Sequence, residues 1–164
     1  MMRVSFTVAA LAGGVSLATA GEATFTMRFL APDTALRAAQ AALHHCRDAG
    51  YQVAVAVVDR GGTTQVLLRD RFAGPHTIDV ATNKAWTALS FRQDTLSLGQ
   101  ASRPDGPAAP IRHFPRVVVM GGGVPIEAGG YLLGAIAVSG APGGEADDAC
   151  AKAGAEAIRA DIEF

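Results

Sequence analysis

Short glycine-rich turns join apolar runs at three places in the sequence. Asp59-Arg60-Gly61-Gly62 separates the apolar run 53–58 from a strand-like run at 63–69. Gly121-Gly122-Gly123 and Gly129-Gly130 separate three later runs in the same way. Because parallel neighbours need a long crossover, turns this short predict antiparallel pairing. The predicted strands are 53–58, 63–69, 117–120, 124–127 and 131–139.

Helical periodicity flanks these strands. Pro32 begins a run whose apolar residues recur at spacings of three and four, which is typical of a helix with one buried face. Further helices are predicted at 77–91, 94–99 and 145–161, and four prolines in 102–115 predict a loop. The order α-β-β-α-α-β-β-β-α predicts an α+β fold, with helices packed on a five-stranded, mostly antiparallel sheet. The predicted buried stripe of the first helix is Leu36, Ala39, Leu43 and Cys46.

The first 20 residues have the pattern of a secretory signal peptide. A basic start is followed by an uncharged run, 4–17, and then by Ala18-Thr19-Ala20, a small-x-small cleavage pattern. A buried N-terminal helix is the alternative, which Gly13-Gly14 disfavours. We predict a signal peptide at 1–20, an N-terminal extension at 21–31 and a single domain at 32–164. The mature protein is expected to be periplasmic or secreted, with no membrane insertion after cleavage.

The charge balance argues against a nucleic-acid partner. The sequence has 14 Lys+Arg and 15 Asp+Glu, a net charge of −1, whereas nucleic-acid-binding domains normally carry a cationic excess. Residues of the hydrophobic class make up 49%, which is enough to build a core and excludes a disordered chain.

The two cysteines, Cys46 and Cys150, lie on the predicted buried faces of the first and last helices. An exported protein permits a disulfide between them if those helices are neighbours. Two free thiols are the alternative, because cysteine also packs as a small apolar residue. The sequence leaves both alternatives open.

Four blocks of sequence occur in order, at 57–62, 79–88, 121–126 and 134–140, followed by Asp147 and 151–154. Together they resemble the GlcG/HbpS-like family, which includes the C-terminal domain of PduO-type proteins. The resemblance implies a profilin- or PAS-like domain that assembles into homo-oligomers, often octamers. It also implies binding of haem or another tetrapyrrole, with iron- or corrinoid-related roles in some members.

His76 is the best candidate for a haem-iron ligand. It follows Gly74-Pro75, a rigid pair between a predicted strand and helix, where binding residues are common. Imidazole is a frequent axial ligand of haem iron. The N-terminus of the predicted helix that follows His76 favours the binding of an anionic group such as a haem propionate. An exposed loop or capping histidine with no ligand is the alternative.

Three other residues are weaker candidates for haem contact. Arg112 and His113 lie in the proline-rich loop, where a cation and an imidazole could contact a porphyrin edge. His45 lies at the margin of the polar face of the first helix. For all three, a solvated surface position is the simpler interpretation.

The triglycine run Gly121, Gly122 and Gly123 suits either a ligand contact or a tight turn, because glycine permits close backbone approach and positive φ. Lys84 is predicted to lie outside the buried stripe of its helix and to pair with Asp79 as a structural ion pair. A catalytic lysine is the alternative.

The family resemblance, together with a histidine on a rigid loop, implies an exported haem-binding protein that sequesters, presents or senses haem. One alternative is an enzyme acting on haem or on a small organic metabolite around Lys84 and Asp79. The other is a non-catalytic oligomeric interaction module. The sequence contains neither the nucleophile elbow of a hydrolase nor the ligand array of a zinc protein. A binding role is therefore preferred over catalysis.

Overall fold

The structure, a computed structural model, describes residues 23–163, so the predicted signal peptide lies outside the described residues. A short 3₁₀ turn, Ala109–His113, lies within the proline-rich loop. In the described part of the chain, no helix combines the length and apolarity needed to cross a bilayer. The elements are α1 (Pro32–Asp48), β1 (Ala54–Asp59), β2 (Thr64–Arg69), α2 (Thr77–Phe91), α3 (Thr95–Ala101), β3 (Gly123–Ala128), β4 (Tyr131–Ser139), α4 (Gly144–Glu156) and α5 (Arg159–Ile162).

The sheet has four strands in the order β2-β1-β4-β3, and every pairing is antiparallel. Asp59 closes the β1–β2 turn, because its Oδ1 accepts the N–H of Gly61 at 2.8 Å and of Thr63 at 3.0 Å. Gly129 and Gly130, with φ of 55° and 79°, form the β3–β4 turn. The predicted α+β class and antiparallel pairing are therefore confirmed.

The fifth strand predicted at 117–120 is wrong. The N–H of Val118 donates to Thr87 Oγ1 at 3.0 Å, and the carbonyl of Met120 accepts from Thr95 Oγ1 at 2.7 Å. Hydroxyl groups of α2 and α3 therefore occupy backbone groups that a strand would use for pairing. The segment crosses these helices instead of joining the sheet.

Helices cover both faces of the sheet. Val55 and Val57 belong to the core shared with α1 and α4, whereas Ala54 and Ala56 pack with Ala81 of α2. The small side chains on the second face let α2 lie close to the sheet, which positions its buried polar residues under β4. Leu36, predicted to be buried, is 38% exposed, and the buried face of α1 is built mainly from alanines.

A disulfide joins Cys46 of α1 to Cys150 of α4, with an S–S distance of 2.07 Å and a Cα–Cα distance of 5.6 Å. The helices approach closely beside it because α4 has a glycine at the crossing. A Cβ on Gly154 would lie 2.6 Å from the carbonyl oxygen of Ala38. Of the two alternatives that the sequence left open, a disulfide or two free thiols, the structure shows the disulfide.

Candidate functional site

The loop between β2 and α2, residues 70–76, is fixed at both ends. Asp70 is buried, and its carboxylate accepts Arg47 Nε at 2.8 Å and the N–H of Val53 at 3.3 Å. At the other end, Thr77 Oγ1 donates to the carbonyl of Gly74 at 2.7 Å. This β2–α2 loop is therefore tied to α1, to the residue just before β1 and to the first residue of α2.

The loop presents His76 to solvent immediately before α2. The imidazole lies directly over Gly74, where a Cβ would come within 2.7 Å of His76 Cε1 and 2.9 Å of Nδ1. Any side chain at position 74 would have to displace the ring. Among residues 23–163 the imidazole has no hydrogen-bond partner, so its ring nitrogens are available to a ligand.

A cleft of about 380 Å³ opens beside His76. Its apolar wall includes Phe72 and Met120, which are 78% and 54% exposed, and the half-buried Val80. The volume and the mixture of apolar and polar walls are typical of small-molecule sites. Polar and backbone groups complete the lining, among them Gln52, Thr77, Lys84, Ser139, Gly140 and Asp147.

A buried ion pair lies at the base of this cleft. Lys84 of α2 and Asp147 of α4 are 1% and 4% exposed, and Lys84 Nζ donates to Asp147 Oδ2 at 2.7 Å. The same ammonium donates to the carbonyl of Val138 at 3.1 Å, and Asp147 Oδ1 accepts the N–H of Ala141 at 2.9 Å. Burial raises the pKa of Asp147, and Lys84 opposes that rise. The pair thus joins α2, β4 and α4 under the cleft.

This pairing corrects the sequence prediction for Lys84. Asp79 is exposed, whereas Lys84 faces the interior and its partner is Asp147. The residue Asp147 belongs to the blocks that carry the family resemblance, but nothing local in the sequence links it to Lys84. The Lys84 ammonium is buried and donates to both the Asp147 carboxylate and the Val138 carbonyl, which supports the structural role over a catalytic one.

The triglycine run packs around this ion pair. Gly122 has a φ of 118°, and a Cβ there would lie 2.7 Å from Asp147 Cβ and 3.0 Å from Lys84 Nζ. A Cβ on Gly121 would meet the carbonyl of Gly144 at 2.6 Å, and one on Gly123 would meet the carbonyl of Lys84 at 2.6 Å. The three glycines are buried, closely packed and not among the residues that line the cleft, and ligand contact by them stays a prediction.

The remaining candidates lie away from the cleft. Arg112 is held at the end of α3, because its guanidinium donates to the carbonyls of Gly99 and Ser102. His113 ends the 3₁₀ turn, His45 lies on α1, and both are exposed. None of the three lines the cleft beside His76. Haem contact by these residues stays a prediction.

Sequence reasoning missed Phe72, Met120 and Gln52 as cleft residues. Phe72 could have been noticed as an aromatic residue within a turn that also contains Gly74 and His76. Met120 and Gln52 give no such signal, because each is brought to the cleft only by tertiary packing.

Comparison with known proteins shows a consistent group of relatives. A family model described as "Haem degrading protein HbpS-like" matches residues 30–156. An uncharacterised 15.0 kDa protein of Citrobacter freundii, encoded between dhaT and dhaS, is 33% identical over 108 residues, which cover 65% of this chain and 76% of that protein.

Two crystal structures resemble this fold closely. A double mutant of HbpS from Streptomyces reticuli is 35% identical, with a TM-score of 0.78 over 89% of this chain and 98% of that chain. A PduO C-terminal fragment crystallised as a haem complex is 27% identical, with a TM-score of 0.74 over 79% of this chain and 95% of that chain.

Proposed function

The chain belongs to the HbpS-like family, and on this basis we propose that it binds haem in the cleft beside His76. The single observation that carries the proposal is the position of the imidazole. It is exposed at an open cleft and has no hydrogen-bond partner among the described residues. Imidazole nitrogen is a common axial ligand of haem iron.

The walls of the cleft carry side-chain types that contact porphyrins. Phe72 and Val80 offer apolar contact, and Phe72 is an exposed aromatic ring of the kind that stacks on a flat macrocycle. Met120 adds a thioether, a second side-chain type that binds haem iron. Bound haem would supply the iron and the porphyrin, while the chain holds the ring between these side chains.

Replacing His76 with alanine is expected to weaken hemin binding by about tenfold or more, because an axial iron bond is lost. The Soret band of any residual complex is expected to shift. The measurement is a spectrophotometric titration of hemin into purified protein.

Two variants provide matched controls. His113→Ala removes an exposed imidazole outside the cleft and is expected to leave the titration unchanged. Met120→Leu removes the thioether but keeps His76, so it distinguishes ligation by the thioether from ligation by the imidazole. An unchanged spectrum in His76→Ala would reject the ligand assignment. The absence of any saturable Soret change in the unmodified protein would reject haem binding altogether.

We propose that the protein holds haem for sequestration, presentation or sensing. A Soret band that persists with ascorbate and air supports this role. Its loss with formation of open-chain tetrapyrrole supports degradation, the activity in the family description. The homo-oligomeric state implied by the resemblance is tested by light scattering of the same sample.

We also propose export to an oxidising compartment, which the Cys46–Cys150 disulfide supports because such bonds persist mainly outside the cytosol. Mass spectrometry of the protein made in a Gram-negative host is expected to show a mature chain beginning at Gly21. A chain that keeps residues 1–20 and remains in the cytosol would contradict export.

A further inference from the structure

A second cavity adjoins the cleft on the other side of Phe72. It has a volume of about 380 Å³ and is lined by Arg47, Gln52, Arg69, Asp70, Arg71 and Phe72. Gln52 and Phe72 line both cavities, so the two are adjacent at these side chains. We call the second cavity the arginine annex.

The annex has an excess of positive charge. Its three guanidinium groups face one carboxylate, that of Asp70, which is buried and already paired with Arg47 at 2.5 Å. Arg69 donates to the carbonyl of Ala73 at 2.5 Å, which satisfies a donor but neutralises no charge. Two positive charges of the annex therefore lack a counter-charge within the described residues.

Arg71 is the most available of these cations. It is exposed, it forms no ion pair among the described residues, and its guanidinium carbon lies 5.8 Å from the centre of the Phe72 ring. Its backbone follows Asp70, the fixed end of the β2–α2 loop. The loop therefore presents a cation, an aromatic ring and an imidazole in sequence, at Arg71, Phe72 and His76.

We propose that the arginine annex binds the carboxylates of the haem that occupies the cleft, with Arg71 as the principal partner. This inference rests on the proposed haem binding. Haem carries two propionates on one edge, and a guanidinium binds a carboxylate through two parallel hydrogen bonds. The annex thereby fixes which edge of the porphyrin points toward the β2–α2 loop.

The test compares hemin with hemin dimethyl ester, in which both carboxylates are blocked. Arg71→Gln is expected to weaken binding of hemin by about fivefold or more, as for loss of a charge-assisted hydrogen bond. It is expected to leave ester binding and the Soret position unchanged, because His76 and the apolar wall remain. Arg71→Lys is expected to restore part of the lost hemin affinity. Added salt is expected to reduce the preference of the unmodified protein for hemin over its dimethyl ester.

Arg103→Gln is the matched control, because Arg103 is exposed and lines neither cavity.

The outcomes separate this inference from the proposed function. Equal weakening of both porphyrins by Arg71→Gln would show that Arg71 acts through the packing of Phe72, and would overturn carboxylate binding. An unchanged hemin titration in Arg71→Gln, with His76→Ala still defective, would overturn the annex and leave haem binding in the cleft intact. If the unmodified protein binds neither porphyrin, both proposals are wrong.

Discussion

Replacing Lys84 with methionine is expected to lower the free energy of unfolding by about 3–5 kcal/mol, the usual cost of removing one partner of a buried ion pair. The Asp147 carboxylate would stay buried without its ammonium partner, and the carbonyl of Val138 would lose a donor. Burial already raises the pKa of Asp147, so removal of the opposing Lys84 charge raises that pKa further. The measurement is urea denaturation of the oxidised protein at neutral pH.

Two controls test whether this loss comes from the ion pair. Arg37→Met breaks an exposed pair, in which Arg37 and Asp161 are 2.9 Å apart and about half exposed, so a loss below about 1 kcal/mol is expected. The double variant Lys84→Met/Asp147→Asn removes both charges and keeps an acceptor for the N–H of Ala141. Its loss is expected to be smaller than the sum of the two single losses. A Lys84→Met loss no larger than that of Arg37→Met would contradict the anchoring role.

Removal of the Cys46–Cys150 disulfide is expected to cost a similar amount. The bond closes a loop with a sequence separation of 104, and the chain-entropy model gives about 4–5 kcal/mol for a loop of about 100 residues. The double variant Cys46→Ala/Cys150→Ala is compared with the unmodified protein by urea denaturation, with and without dithiothreitol. The unmodified protein should lose stability when it is reduced.

The double alanine variant also serves as the control, because it should not respond to the reductant. If dithiothreitol destabilised both proteins, its effect would not come from reduction of the Cys46–Cys150 disulfide. Equal stability of the oxidised protein and the double variant would contradict stabilisation by this bond.

The elements with the strongest local patterns were predicted well. The glycine turns identified the β1–β2 and β3–β4 hairpins, and the apolar periodicity identified α1 and α2. The strand predicted at 117–120 was wrong because the segment has the composition of a strand, whereas its backbone groups form hydrogen bonds with Thr87 and Thr95. Those partners are 31 and 25 residues away along the chain, so no local pattern indicates them.

The candidate site was predictable only in part. The pattern Gly74-Pro75-His76 identified the loop histidine, because rigid residues beside an imidazole are visible in the sequence itself. The partner of Lys84 was not predictable, because Asp147 lies 63 residues away along the chain. Helical spacing indicates only near neighbours such as Asp79. Packing of β2, α1 and α2 brings Arg71 and Phe72 beside the cleft, and this arrangement depends on the whole fold.

The attachment of the β2–α2 loop at Asp70 and Gly74 has a consequence for binding kinetics. Because its ends are already fixed in the free protein, a ligand would not have to order the loop on arrival, and little conformational entropy would be lost at that step. Substitutions at residues that contact the ligand should therefore change its residence time more than its rate of association.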